Sequence, residues 1–273
     1  MPELPDLEAI QEVLLQELAG SRVKEASVSL AIPIRQPSPE EFTGRLQGAV
    51  LRAVGRRGKF LLLSFADAAG SAWVLAVNPM LTGRLQYCEA AERRKARTCF
   101  TLAFEDGREL RYFDSKLMGK AYLVPEGALE TIPRWEEMGP EAQSPEVTRE
   151  VFQKRLRRHP GQIKNILVND TFVAGIGNAY ADEILFAAGL HPYRRRTSLS
   201  PEETESLYRA MRQVLTEGAE TVARRMGKDI HVKIRDFLKV HGKGGEACPR
   251  CGHTVSQVTA NQRLTNYCRG CQV

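Results

Sequence analysis

The segment "CPRCGHTVSQVTANQRLTNYCRGC" (248–271) sets two C-x2-C pairs on either side of 16 residues. Knuckles at this spacing match the way four thiolates enclose one zinc ion. The residues between them alternate and break near Ala260-Asn261-Gln262, which is the pattern of a β-hairpin. Cys248, Cys251, Cys268 and Cys271 are therefore the expected ligands of one structural Zn2+. The role is structural because four thiolates leave no open position for a substrate. The competing reading, two disulfides, needs an oxidising compartment. The chain start has acids and no basic n-region with an apolar h-region, so no secretory signal is expected. Arg263 falls near the hairpin tip. It is either a solvated turn arginine or a probe for a phosphate or minor groove on a rigid, metal-braced hairpin.

Composition narrows what such a finger could serve. The 273 residues suit two modest domains, and 42% hydrophobic residues can bury a real core. No run approaches the roughly 18 consecutive apolar residues of a membrane span, so the expectation is a cytoplasmic chain with no membrane partner. Net charge is +6 but uneven: residues 151–273 hold 20 Lys/Arg against 11 Asp/Glu, and residues 1–150 hold 19 against 22. A basic C-terminal half fits a polyanionic partner such as nucleic acid, although many basic faces are simply solvated. Cys88 and Cys99 stand alone and read as inert thiols.

The periodicities predict an α+β chain. Leu7, Ile10, Val13, Leu14 and Leu18 recur at helical spacing, with Pro5 suited to a first turn and Gly20 to a stop, giving a helix over 5–20. Residues 22–124 turn β-like. Two apolar runs flank a small-residue turn in "GKFLLLSFADAAGSAWVLAVNPM" (58–80), and Asp106-Gly107 centres a second hairpin. The expected first domain is a β-sandwich over 1–124 with the helix packed on it. A Pro-, Gly- and Glu-rich stretch over 125–146 reads as a linker. Four helical segments follow in a domain over 147–240, and the finger occupies 241–273.

Three further motifs carry chemistry. In "VAGIGNAYADEILF" (173–186), Gly175 and Gly177 permit a tight turn and Asn178 could cap the helix that follows. Amides at a helix start make an anion site, and with "IKNILVND" ahead the unit is helix, two-turn, helix, with Lys164 on the incoming helix. Structural capping explains the same glycines. In "GRRGKFLLL" (55–63), Gly58 lets the backbone pass closely and Lys59 opens an apolar strand, where a lysine is ordinarily just solvated. In "MPELPDLE" (1–8), Pro at position 2 makes Met1 removable, which would leave Pro2 as a secondary amine. An α-amine titrates near ~8, and an adjacent helix N-terminus disfavours its charge further. Such an amine attacks an aldehyde-like carbon to give an iminium, with Glu3 beside it as acid or base. By itself the stretch is also a plain helix start.

Together these pieces resemble the formamidopyrimidine-DNA glycosylase/endonuclease VIII family of bifunctional repair enzymes. "PELPDLE" is similar to its N-terminal motif, "RRGKFLLL" to its strand lysine, "VAGIGNAYADEILFAAGLHP" to its helix–two-turn–helix and "HGKGGEACPRCG…QRLTNYCRGCQ" to its finger. The resemblance implies a monomer acting on damaged double-stranded DNA. Pro2 would attack C1′ of an extruded nucleotide, Glu3 would protonate the sugar oxygen, and Lys59, grouped with them, would grip phosphate together with Asn178 and Arg263. Lys164 would join the DNA contacts. The chain also departs from the family pattern. Asp6 stands where the 8-oxoguanine branch has Glu, and "NPMLTG" puts Asn78 and Leu81 where His and an inserted Met are expected. "DSKLMG" puts Lys116 and Met118 in place of Arg and Phe. Leu81 and Met118 remain apolar wedges, but Lys116 cannot make arginine's two-pronged base contact. The expected activity is base excision with abasic-site lyase chemistry. A non-catalytic or lyase-only damage binder of the same fold is the alternative.

Overall fold

The computed structural model describes residues 1–260 and 263–273, the side chains of Ala260 and Arg263 excepted. Packing divides the chain into two units, residues 1–136 with 222–233, and residues 137–221 with 234–273.

The first unit opens with α1 (Leu4–Leu18), whose Leu4, Leu7, Ile10, Leu14 and Leu18 are buried along one face. Each fully buried leucine contributes about 2 kcal/mol, which fixes this face against the sheet and not merely the helix as such. Then come β1 (Val23–Val28), β2 (Ile34–Gln36), the short α2 (Pro39–Leu46) and β3 (Val50–Arg57). Six strands follow: β4 (Phe60–Ala66), β5 (Ala72–Asn78), β6 (Gly83–Glu89), β7 (Thr98–Phe104), β8 (Arg108–Asp114) and β9 (Lys120–Pro125). They form two sheets, β1-β7-β8-β6 and β2-β9-β5-β4-β3, as a sandwich requires. β4 and β5 pair antiparallel across the small-residue turn, and β7 and β8 across Asp106-Gly107, where Gly107 takes φ 86°. Helix α1 packs on β3 and β4.

The second unit is helical and then closes with the finger. It contains α3 (Arg149–Arg158), α4 (Ile163–Leu167), α5 (Asn178–Ala188) and most of α6 (Pro201–Met226), then the hairpin β10 (Val255–Ala260) and β11 (Arg263–Cys268). Phe186 of α5 packs with Val240, Cys248, Val255 and Cys268, so the finger's small core is shared with the helix beside it. The α+β class, the sandwich with its packed helix, and the helical region ending in a four-cysteine finger all match the reading of the sequence. Among the described residues, no helix is long and apolar enough to cross a membrane.

Candidate functional site

The amino-terminal motif is built as a helix cap. Glu3 is the N-cap of α1, and the Asp6 carboxylate three residues on accepts the Glu3 backbone N–H at 2.8 Å. Both ends of the reciprocal capping box are present, so the shorter Asp reaches as far as this role needs. Glu3 and Asp6 are nonetheless buried, at 3% and 5% exposure, which is unusual for carboxylates at a helix start. Pro2 is buried with them. Pro2, Asp6 and Ile10 share a cavity of about 10 Å3 with Arg84 of β6 and with Met226 and Ile230 from the end of α6 and the turn after it.

Lys59 arrives by a separate route. It lies at the β3–β4 turn, where Gly58 takes φ 55°, a conformation that favours glycine. Arg56 pairs with Glu8 of α1 at 3.0 Å and donates to the Gly58 carbonyl at 3.1 Å. One guanidinium thus ties the turn to the helix. Lys59 is itself only 6% exposed, so it is not an ordinary solvated lysine.

The two altered loops are braced on each other. The buried Asp114 carboxylate, at the end of β8, accepts from the Gly119 amide at 2.7 Å, from the Lys116 amide at 3.1 Å and from the Thr82 hydroxyl. Burial opposes its ionisation, but the Thr82, Gly119 and Lys116 donors outweigh that and hold the carboxyl below the usual range. Gly83 and Gly119 leave room for the Tyr112 hydroxyl, which a Cβ at either position would strike at 2.1 or 1.7 Å. From this rigid base Leu81 (50% exposed) and Met118 (38% exposed) project as large apolar side chains, with Lys116 exposed between them in the chain. The Asn78 Oδ1 accepts the Met80 amide at 3.1 Å and shapes the loop.

In the second unit Gly177, not Asn178, is the N-cap of α5. Asn178 uses its Nδ2 to donate to the Leu264 carbonyl at 2.6 Å, and so ties the helix to the hairpin. Lys164 is 4% exposed. Its ammonium pairs with Asp182 at 2.7 Å and donates to the Thr265 hydroxyl at 2.7 Å and the Leu264 carbonyl at 3.1 Å. The helix–two-turn–helix lysine is directed into the protein. The Glu183 carboxylate accepts the backbone N–H groups of Lys239, Val240 and His241, each at 2.8 Å. Arg263 opens β11, and its side chain lies outside the described residues, as do Asn261 and Gln262.

The four finger thiols are a metal site by their own geometry. All four sulfurs lie within 4.8 Å of one another, with Cys248 to Cys271 at 3.8 Å and Cys251 to Cys268 at 3.4 Å. Four thiolates at about 2.3 Å from one zinc stand about 3.8 Å apart, so the donor set fits that ion. When bound, the zinc cross-links the two knuckles.

The sequence reading missed Asp114 with Thr82, and it missed Asp182. Asp182 had a signal: a fully buried acid in an apolar helix demands a partner. Thr82 and Asp114 had none, because nothing in local periodicity joins positions 32 residues apart.

Comparison with known proteins places this architecture. The formamidopyrimidine-DNA glycosylase N-terminal domain model matches residues 1–121, and that enzyme's H2TH domain model matches residues 138–228. The zinc finger found in FPG and IleRS matches residues 245–273. A formamidopyrimidine-DNA glycosylase of Pelotomaculum thermopropionicum is 36% identical over 100% of this chain and 99% of its own. One from Symbiobacterium thermophilum is also 36% identical, over 100% of this chain and 89% of its own. Among solved structures, Lactococcus lactis Fpg in complex with DNA containing an abasic site aligns with a TM-score of 0.89 at 25% identity, over 99% of both chains. The fold and the finger define a DNA-repair protein of the helix–two-turn–helix, zinc-finger class. The chain belongs to the formamidopyrimidine-DNA glycosylase/endonuclease VIII family.

Proposed function

We propose that this chain is a bifunctional DNA glycosylase and abasic-site lyase of base excision repair, acting as a monomer on damaged duplex DNA. One observation carries the reading: Pro2 and Glu3 are both buried at the capped start of α1, and Pro2 lines a small cavity there. With Met1 removed, the Pro2 nitrogen is a secondary amine at the positive end of a helix, which favours its neutral, nucleophilic form. It attacks C1′ of the extruded nucleotide, and the bond from C1′ to the base breaks, the base leaving with a proton. The ring oxygen O4′ takes a proton from Glu3 as the C1′–O4′ bond opens, which generates the iminium. Loss of a C2′ proton into that electron sink then expels the 3′ phosphate and cuts the strand.

The remaining residues serve extrusion and grip. Lys59, Asn178 and Arg263 hold phosphates around the flipped nucleotide. Lys164 contributes by fixing the hairpin that carries Arg263. Leu81, Met118 and Lys116 fill the gap in the stack, which offsets part of the few kcal/mol that unstacking costs. In this scheme residues 1–124 carry catalysis, 125–146 link, 147–240 bind DNA and 241–273 form the finger. Lys116 in place of a planar guanidinium supports a relaxed preference for the opposite base.

The test is a panel of duplexes carrying ring-opened purine, 8-oxoguanine or an abasic site, each opposite all four bases. Release of a damaged base, abolished by Glu3→Gln, supports glycosylase function. Tight binding of every duplex without base release would leave the lyase-only or non-catalytic reading.

A further inference from the structure

Arg263 stands at one end of β11 and the zinc ligand Cys268 at the other. Five steps of about 3.4 Å from Arg263 to Cys268 make a lever of about 17 Å. A metal at the cysteine end fixes the base of the hairpin, so the far end depends on whatever else holds it.

Besides the Asn178 bond to the Leu264 carbonyl, that hold gathers on one carboxylate. Asp182, in α5, has a fully buried side chain. Its Oδ1 lies 2.7 Å from the Lys164 ammonium, and its Oδ2 lies 2.8 Å from His241 Nδ1 and accepts the Asn266 backbone N–H at 3.1 Å. Lys164 passes the contact on to the Leu264 carbonyl and the Thr265 hydroxyl. Directly and through one lysine, Asp182 thus holds Leu264, Thr265 and Asn266, the three residues that follow Arg263. A buried charge must keep its partners, because losing one strands the other in a low-dielectric interior. The node is therefore stiff in a way that a surface ion pair is not.

We propose that Asp182 is the positioning residue for Arg263, setting the reach of the hairpin toward a DNA phosphate independently of the zinc site. The proposal rests on the reading of Arg263 as a phosphate ligand given above. Asp182 acts through Lys164 and β11.

The test measures binding of the full-length zinc protein to a duplex containing a tetrahydrofuran abasic-site analogue, across a range of salt concentrations. Wild type, Arg263→Ala, Asp182→Asn and the double variant are compared. Arg263→Ala and Asp182→Asn should each weaken binding about tenfold, and each should flatten the salt dependence by close to one phosphate contact, a slope change of about 0.9. The double variant should bind no worse than Arg263→Ala alone, because both remove the same contact. Cobalt-substituted Asp182→Asn should keep its thiolate absorption, showing an intact finger. Lys164→Met breaks the relay from the other side and should give the same pattern. If Arg263→Ala weakens binding while Asp182→Asn and Lys164→Met match the wild type, the positioning role is overturned alone. Losses that add in full, or a salt slope unchanged in Asp182→Asn, overturn it equally. Arg263→Ala binding like wild type overturns the phosphate reading and this proposal with it.

Discussion

The α-amino nitrogen of Met1 donates to the backbone carbonyl of Leu81 at 3.2 Å. This bond puts the first residue of the chain against the loop that carries an exposed apolar wedge. The amine we assign to catalysis is the next residue along. While Met1 is present, the chain start and the Leu81 loop thus meet within one unit, one residue from Pro2. Their joint geometry depends on the brace beneath the loop.

That brace is Asp114. Asp114→Asn should cost about 1–3 kcal/mol, because it removes a charged acceptor that serves the Gly119 and Lys116 amides and the Thr82 hydroxyl. The folded carboxyl titrates below the ordinary value of 3.8, so its stabilisation is fully present above pH 3.8 and lost as pH falls through the depressed value. The wild-type advantage in denaturant unfolding should be equal at pH 7 and pH 5 and shrink below pH 3.8. A difference that grows as pH falls would contradict the assignment.

Glu17 gathers Lys228, Arg108 and the Tyr87 hydroxyl, linking α1 and β8 to the turn after α6. The Lys228 hydrogen bond is the main influence holding its carboxyl below the usual range. Lys228 is 69% exposed, so Lys228→Met should change global stability by less than about 1 kcal/mol. Its effect should appear locally, as faster amide hydrogen exchange over residues 227–233 with α1 unaffected. Faster exchange spread across the whole first unit would show instead that the pair supports the fold.

The six cysteines should separate chemically. Burial pushes the Cys88 and Cys99 thiols up to about 11, so both should resist a thiol reagent at pH 8 in the folded protein. Chelation of zinc should expose four reactive thiols, and denaturant the last two. Substituting Cys251 by Ser should lower zinc content and weaken DNA binding without disturbing unfolding of the sandwich. Labelling of Cys88 or Cys99 at native pH would show that these strands open.

The parts legible in the sequence are those governed by short-range repeats. The leucine stripe of α1, the Asp106-Gly107 hairpin and the paired knuckles each declare themselves within about twenty residues. Helix α2 (Pro39–Leu46) escaped because eight residues with Phe42 and Leu46 as buried anchors give too little periodicity. The site was legible as residue types but not as contacts. Lys164 read as a DNA-facing cation, whereas its ammonium is spent on Asp182 and on β11 about a hundred residues later. Asn178 read as a cap, whereas Gly177 caps and Asn178 reaches the hairpin. Asp6 read as a departure from the family pattern, and its carboxylate completes the capping box.

Reductive trapping decides whether the Pro2 nitrogen forms a covalent iminium with an abasic sugar. The mature protein, with Met1 removed, is incubated with duplex DNA bearing an abasic site and then reduced with borohydride. The expected product is a stable protein–DNA adduct whose mass maps to the peptide beginning at Pro2. The adduct at Pro2 should be absent when Met1 is retained, because the Pro2 nitrogen is then an amide and cannot attack. No adduct at all, or an adduct mapped to Lys59 or another lysine, would contradict the Pro2 assignment.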